Sequence, residues 1–148
     1  MPTLYLDVCC LNRPYDDQSS ERVRLESEAV LLILKRIESG EWQWLASEVL
    51  SFEINQTPDS ERRARLGLML SGAARSIQIE EIETRRAGEL VKLGFRNFDA
   101  MHLACAESGD ADIFLTTDDH LVRLAARTGA TRLRVENPLV WLREGSEK

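Results

Sequence analysis

Two short apolar runs that end in aspartate constrain the fold more than any other feature of this sequence. Leu4-Tyr5-Leu6 leads directly into Asp7, and Ile113-Phe114-Leu115 leads through Thr116-Thr117 into Asp118. An unbroken apolar triplet has no polar face, so it suits a strand covered on both sides, as in a parallel sheet. Further strand candidates lie at 42–46, 76–79 and 133–135. Helical patterns separate them. Within 21–39, Val30, Ile33, Leu34 and Ile37 recur at helical spacing, with Gly40 as a stop. Ser47 is placed to cap a helix over 48–54. Other helices are predicted at 60–70, 81–93, 98–107, 119–127 and, after Pro138, 139–143. Strands alternating with helices predict an α/β fold, a three-layer α/β/α sandwich with a mainly parallel central sheet. The length suits a single domain over 1–148. Ligands of such sheets sit at the carboxyl ends of the strands, which puts Asp7 and Asp118 on one rim.

Composition narrows the function. A net charge of -6 argues against broad, non-specific nucleic-acid binding, which needs a dominant positive surface. It leaves room for a nucleic-acid enzyme with a local basic rim, where clustered acids bind a cation and the cation meets the phosphate. The cysteine count is odd and there is no CxxC, so Cys9, Cys10 and Cys105 read as reduced, buried thiols. His102 and His120 lack zinc-finger spacing. No apolar run reaches the roughly 18 residues of a membrane span, and the N-terminus shows no signal-peptide pattern. A cytoplasmic location without membrane attachment is therefore expected.

Most of the 25 acidic residues must be solvated surface charges, so position decides which ones matter. Asp7 precedes the apolar Val8-Cys9-Cys10-Leu11, where a charge is costly unless it is paired or metal-bound. The alternative is a loop aspartate capping a turn. Asp118 and Asp119 adjoin one helix start, and one of them should cap it. The reading adopted gives the cap to Asp119 and leaves Asp118 for function. Asp99 falls in the first turn of helix 98–107, where the helix dipole alone would also favour it. His102, three residues on, either joins as a ligand or packs locally. Glu48 is explained by its first-turn position, whereas Glu53 lies deeper, between Phe52 and Ile54. Helix 98–107 carries Phe98, Met101 and Cys105 on one face and ends at Ser108-Gly109.

Four segments together resemble PIN-domain ribonucleases, especially VapC-type toxins, over nearly the whole length. They are Leu4-Tyr5-Leu6-Asp7, Ser47-Glu48-Val49-Leu50-Ser51-Phe52-Glu53, Asp99-Ala100-Met101-His102-Leu103-Ala104 and Thr116-Thr117-Asp118. The resemblance implies an acidic site of Asp7, Glu53, Asp99 and Asp118 that binds one or two Mg²⁺ or Mn²⁺ ions. It also implies an RNA substrate, cleavage that leaves a 5′-phosphate and a 3′-hydroxyl, and a small antitoxin protein that blocks the site. In this reading Asp7 and Asp99 hold the main ion. Asp118 reaches it through water or binds a second ion, and Glu53 positions or deprotonates the attacking water. Such hard ions prefer carboxylate oxygens, and acids crowded at one rim should show raised pKa values.

The sequence departs from relatives after Asp7, where many have small or hydroxylated residues and this chain has Val8-Cys9-Cys10-Leu11-Asn12-Arg13-Pro14. Asn12, Arg13 and Thr116 are candidates for the substrate rim, although Asn12 and Arg13 serve a turn beside Pro14 equally well. Arg62, Arg63, Arg65, Arg75 and Arg96 are further rim candidates, or simply a solvated face. Leu66, Leu68, Met69 and Leu70 suggest a homodimer or antitoxin interface, with core packing as the alternative.

Other classes fit less well. An aspartate-nucleophile phosphatase wants a second Asp two residues after Asp7, where this chain has Cys9. A phosphoacceptor receiver domain needs a late lysine, and none lies between Lys92 and Lys148. The non-enzyme alternative is a PIN-like binding module with weak or no nuclease activity that mainly engages a protein partner.

Overall fold

A computed structural model describes residues 1–145. Among these residues, β1 (Thr3–Leu6), β2 (Gln43–Ser47), β3 (Arg75–Ile77), β4 (Ile113–Leu115) and β5 (Arg134–Glu136) form one sheet. Its order is β3-β2-β1-β4-β5, and every pairing is parallel. The helices are α1 (Val8–Asn12), α2 (Glu21–Glu38), α3 (Glu48–Asn55), α4 (Ser60–Leu70), α5 (Glu81–Lys92), α6 (Asn97–Ser108), α7 (Asp119–Thr128) and α8 (Pro138–Gly145). None is long and apolar enough to cross a membrane.

The apolar triplets explain the layering. Side chains alternate across a strand, so Leu4 and Leu6 enter one core and Tyr5 the other. Ile113 and Leu115 divide from Phe114 in the same way, and Trp44 and Ala46 from Leu45. One core lies under α5, α6 and α7, and the other under α1, α2, α3 and α4. The expected three-layer sandwich is what forms. β1 is flanked by β2 on one side and β4 on the other, so the chain reverses its direction of travel across the sheet there. The carboxyl end of that junction is where ligand crevices of open α/β sheets form.

Several local expectations need correction. The apolar stretch after Asp7, to which the sequence assigns no element, forms α1, and a short 3-10 turn follows at Arg13–Tyr15, beside Pro14, where a turn was one of the roles expected. In α4, Leu66 is core, and Met69 and Leu70 pack against the core, so only Leu68 stands out in water. These four residues cannot form one apolar interface, because the helix turns three of them toward its own domain. In α6 the face with Phe98, Met101 and Cys105 is divided: Cys105 is buried, Met101 packs against the core and Phe98 is half exposed, while Ala100, Leu103, Ala104 and Ala106 are all covered. Small residues let α6 sink between the sheet and α5, so the helix is covered on more than one side. Close approach also explains Gly109 at its end, where a Cβ would meet Leu45 Cδ2 at 2.4 Å.

Candidate active site

Asp7 ends β1 and its backbone N–H continues the ladder by donating to the Leu115 carbonyl at 2.9 Å. Its Oδ1 accepts from Val8 N at 2.8 Å, capping α1, and its Oδ2 accepts from the Thr116 hydroxyl at 2.9 Å. Thr116 is fully buried and accepts from Asp118 N at 3.1 Å. Cys9 Sγ lies 3.3 Å from the same hydroxyl and accepts from Thr117 N at 3.3 Å. A hydroxyl has one proton, and Asp7 takes it, so the Cys9 thiol donates to Thr116. Thr116, expected at the substrate rim, instead lies beneath it and orients Asp7. No solvent-facing atom remains for substrate.

A second line of side chains converges from the other core. Ser47 caps α3 through Leu50 N at 3.2 Å, and its hydroxyl lies 2.6 Å from the Tyr5 hydroxyl. Tyr5 stacks on Phe114, with ring centroids 5.2 Å apart, and meets His102 Nδ1 at 2.5 Å. Burial raises the Tyr5 pKa well above its ordinary value, so it remains a phenol. His102 Nε2 bonds to Glu53 Oε1 and lies 3.8 Å from Asp7 Oδ1. Burial pushes the His102 pKa down, but the Glu53 hydrogen bond and the charges of Asp7, Glu53 and Asp99 outweigh it and leave it raised. His102 therefore belongs to the acidic cluster. Its spacing from Asp99 was the signal for this, and Tyr5, which the sequence marked only as core, is what aims the ring.

Asp99 joins from the first turn of α6. Its pKa is pushed up to about 6, first by burial and then by the charges of Asp7 and Asp118, and that coupling places three carboxylates in one field. Asp118 is the N-cap of α7. Its Oδ1 accepts from His120 N at 3.0 Å and Leu121 N at 3.3 Å, while Oδ2 lies 4.0 Å from Arg96. The sequence suggests Asp119 for this cap, but the structure gives it to Asp118. Arg22 from α2 grips both Asp119 oxygens at 2.7 and 2.8 Å and the Thr117 carbonyl at 3.1 Å. This holds Asp119 outward and leaves the helix start to its neighbour.

The structure thus brings Asp7, Glu53 and His102 into direct proximity and couples Asp99 electrostatically to Asp7, His102 and Asp118. Asp7, Glu53 and His102 each offer one ligand atom, and these atoms lie within 4.8 Å of one another. Carboxylate oxygens with an imidazole nitrogen at that spacing fit a divalent cation, and a cation would also offset the neighbouring charges that, after burial, raise Asp99. A model of the PIN domain matches residues 5–127. The chain belongs to the PIN-domain family. Members of this family are generally nucleases and typically use a divalent metal. No curated protein matches. Among solved structures, the VapBC2 complex of Rickettsia felis bound to a DNA fragment from its promoter is similar, with a TM-score of 0.58 at 16% identity. The match covers 91% of this chain and 98% of that one. At that identity it speaks for the fold.

Beside the acids, this PIN domain has an open groove of about 630 Å³ that begins at Val8 and Cys9 and runs past Asn12, Arg13 and Arg62. Asn12 and Arg13 do line it, as expected of rim residues. Arg13 is nonetheless held by Glu26 at 2.8 Å and Asp16 at 3.0 Å, and Asn12 donates to the Val8 carbonyl at 3.2 Å. The other expected rim cations also have internal partners. Arg62 binds Asp16 at 3.3 Å and the Tyr15 carbonyl, and Arg63 binds the Thr57 carbonyl at 2.8 Å. Arg65 pairs with Glu61 at 2.8 Å, and Arg75 binds the Gly109 carbonyl at 2.7 Å. Arg96 is the one among them set against a site carboxylate.

Proposed function

We propose that this PIN domain is a divalent-metal-dependent ribonuclease of the VapC type, the toxin of a toxin–antitoxin pair acting in the cytoplasm. The observation that carries the reading is geometric: Asp7, Glu53 and His102 each bring a ligand atom to within 4.8 Å of the others. Asp99, whose carboxyl is raised first by burial and then by the charges of Asp7 and Asp118, lies in the same field, and a cation would offset that charge. Asp7 and Asp99 would hold the main Mg²⁺ or Mn²⁺ ion, with Asp118 contributing through water or to a second ion. Bound there, the cation supplies charge neutralisation and polarises the phosphodiester.

The chain's own residues do the rest. Thr116 and the Val8 N–H fix both oxygens of Asp7. Glu53, held by His102, orients the attacking water and takes its proton. His102 is in turn set by the Tyr5 hydroxyl. A small antitoxin protein and a second copy of the chain are the proposed partners, and the similarity to a solved VapBC complex supports the first. The test is cleavage of RNA by the purified protein with and without Mn²⁺. Wild type should cut only with metal, and Asp7→Asn should be inactive while keeping its fold. Wild-type protein that cuts no RNA in Mn²⁺, or an Asp7→Asn variant that cuts normally, would overturn the reading.

A further inference from the structure

Two phenyl rings stand in water beside the acids. Phe52 immediately precedes Glu53 and Phe98 immediately precedes Asp99, and they are 52% and 50% exposed. Their ring centroids are 6.1 Å apart and their planes differ by 20°. They border an apolar cavity of about 220 Å³ with Val49, Ile79 and Met101. Neither helix needs these rings for its own packing. Val49, Leu50 and Ile54 bury α3, and Ala100, Leu103 and Ala104 bury α6. Leaving large aromatic area in water forgoes the free energy of burial, so a paired exposure at one spot points to a ligand.

The surroundings say which ligand. Arg96, with 70% of its side chain exposed, lies 4.0 Å from Asp118 Oδ2. Along Arg96-Asn97-Phe98-Asp99 the chain therefore offers a guanidinium, an aromatic face and a site carboxylate in immediate succession. We propose that Phe52 and Phe98 form a stacking shelf for one nucleobase of a single-stranded RNA substrate, with Arg96 meeting an adjoining phosphate. This rests on the ribonuclease reading above. Phe52 adjoins Glu53 and Phe98 adjoins Asp99 in the chain, so the nucleoside next to a phosphate held at the acids would have the rings within reach. Stacking also answers a problem of charge. The chain carries -6, and Arg13, Arg62, Arg63, Arg65 and Arg75 are engaged internally, so phosphate attraction alone gives little affinity. Base–aromatic contact is independent of net charge and tolerant of sequence.

The experiment compares wild type, Phe98→Leu, Phe52→Leu and Phe98→Trp in Mn²⁺ on a labelled single-stranded oligoribonucleotide. A matched oligonucleotide carries an abasic nucleotide beside the cleaved bond. Each leucine variant should lose about 5- to 100-fold in kcat/KM, mostly through KM. Phe98→Trp, which restores a stacking face, should recover most of the loss. The abasic substitution should harm wild type by a similar factor and Phe98→Leu little, while Mn²⁺ affinity by calorimetry stays unchanged in Phe98→Leu. Leucine variants that cut like wild type, or an abasic penalty equal in both proteins, would overturn the shelf and leave the nuclease reading standing. Unchanged RNA kinetics with a changed sedimentation coefficient would reassign the rings to a protein interface and overturn it too. Wild-type protein that cuts no RNA would remove the nuclease reading and the shelf together.

Discussion

The hydroxyl of Tyr5 lies 2.5 Å from Nδ1 of His102, with both groups buried and 97 residues apart in sequence. That contact ties the central strand to the helix carrying Asp99. Tyr5→Phe would keep the stack on Phe114 while leaving the Ser47 hydroxyl and His102 Nδ1 without this partner. The expected cost is about 1–3 kcal/mol, read as a lower urea midpoint with an unchanged slope. A variant as stable as wild type would show that the contact carries no stability.

Asp99 sets a pH dependence. Its pKa rises from 3.8 to about 6 on folding, so the folded state binds the proton more tightly than the unfolded state. Its contribution to stability is fully present below 3.8, declines as pH rises, and is lost above about 6. In metal-free buffer at pH 7.5, Asp99→Asn should therefore be more stable than wild type, by about 1–2 kcal/mol after allowing for partial solvent screening. The advantage should shrink as pH falls toward 4. Added Mn²⁺ should raise the wild-type Tm and reverse the order. Urea curves at the two pH values check the sign, and a less stable Asn variant at pH 7.5 contradicts it.

If Asp7 holds the proposed metal, Thr116 would tune it through its hydrogen bond. Thr116→Val removes the proton given to Asp7 Oδ2 and the acceptor for Asp118 N. Groups that orient metal ligands typically matter by 10–100-fold, so Mn²⁺ affinity by calorimetry should fall by about that factor. Thr116→Ser should restore most of it. Equal affinities in Val and Ser would mean that the hydroxyl only fills space.

Glu26 holds Arg13 at 2.8 Å, Arg22 at 3.1 Å and Asn137 at 2.6 Å from a side chain only 2% exposed. Glu26→Ala should cost about 3 kcal/mol, because two guanidiniums lose a buried counter-charge. Arg22 also anchors Thr117 and Asp119, so the Asp118 turn should loosen. Thermal unfolding and backbone hydrogen exchange at 117–119 measure the two effects. An unshifted Tm would refute the buried-pair account.

The sheet was legible in the sequence because strands covered on both faces must be apolar without interruption, and Leu4-Tyr5-Leu6 and Ile113-Phe114-Leu115 are. The helix caps at Ser47 and the rim position of Asp7 followed from local chemistry for the same reason: a cap and its helix are neighbours in sequence. Asp99 was explained locally by the helix dipole and rose above other acids through resemblance to a family, whereas Glu53 was already set apart by lying deeper, between Phe52 and Ile54, and the resemblance raised it further.

What local pattern could not decide was which side chain of a near-equivalent pair turns inward. Asp118 and Asp119 look alike until Arg22, 97 residues away, takes Asp119. His102 is a packed histidine or a site residue according to whether Tyr5 and Glu53 meet its two nitrogens. Phe98 shares a helix face with Cys105 in the sequence, yet packing leaves Phe98 half exposed and buries Cys105. By itself the sequence determined the alternation of strands and helices and the rim on which Asp7 and Asp118 emerge, because backbone pairing and burial act through short-range pattern. The assignment of Thr116, His102, Asp118 and the two exposed rings was left to tertiary structure, because each depends on a partner brought near only by packing.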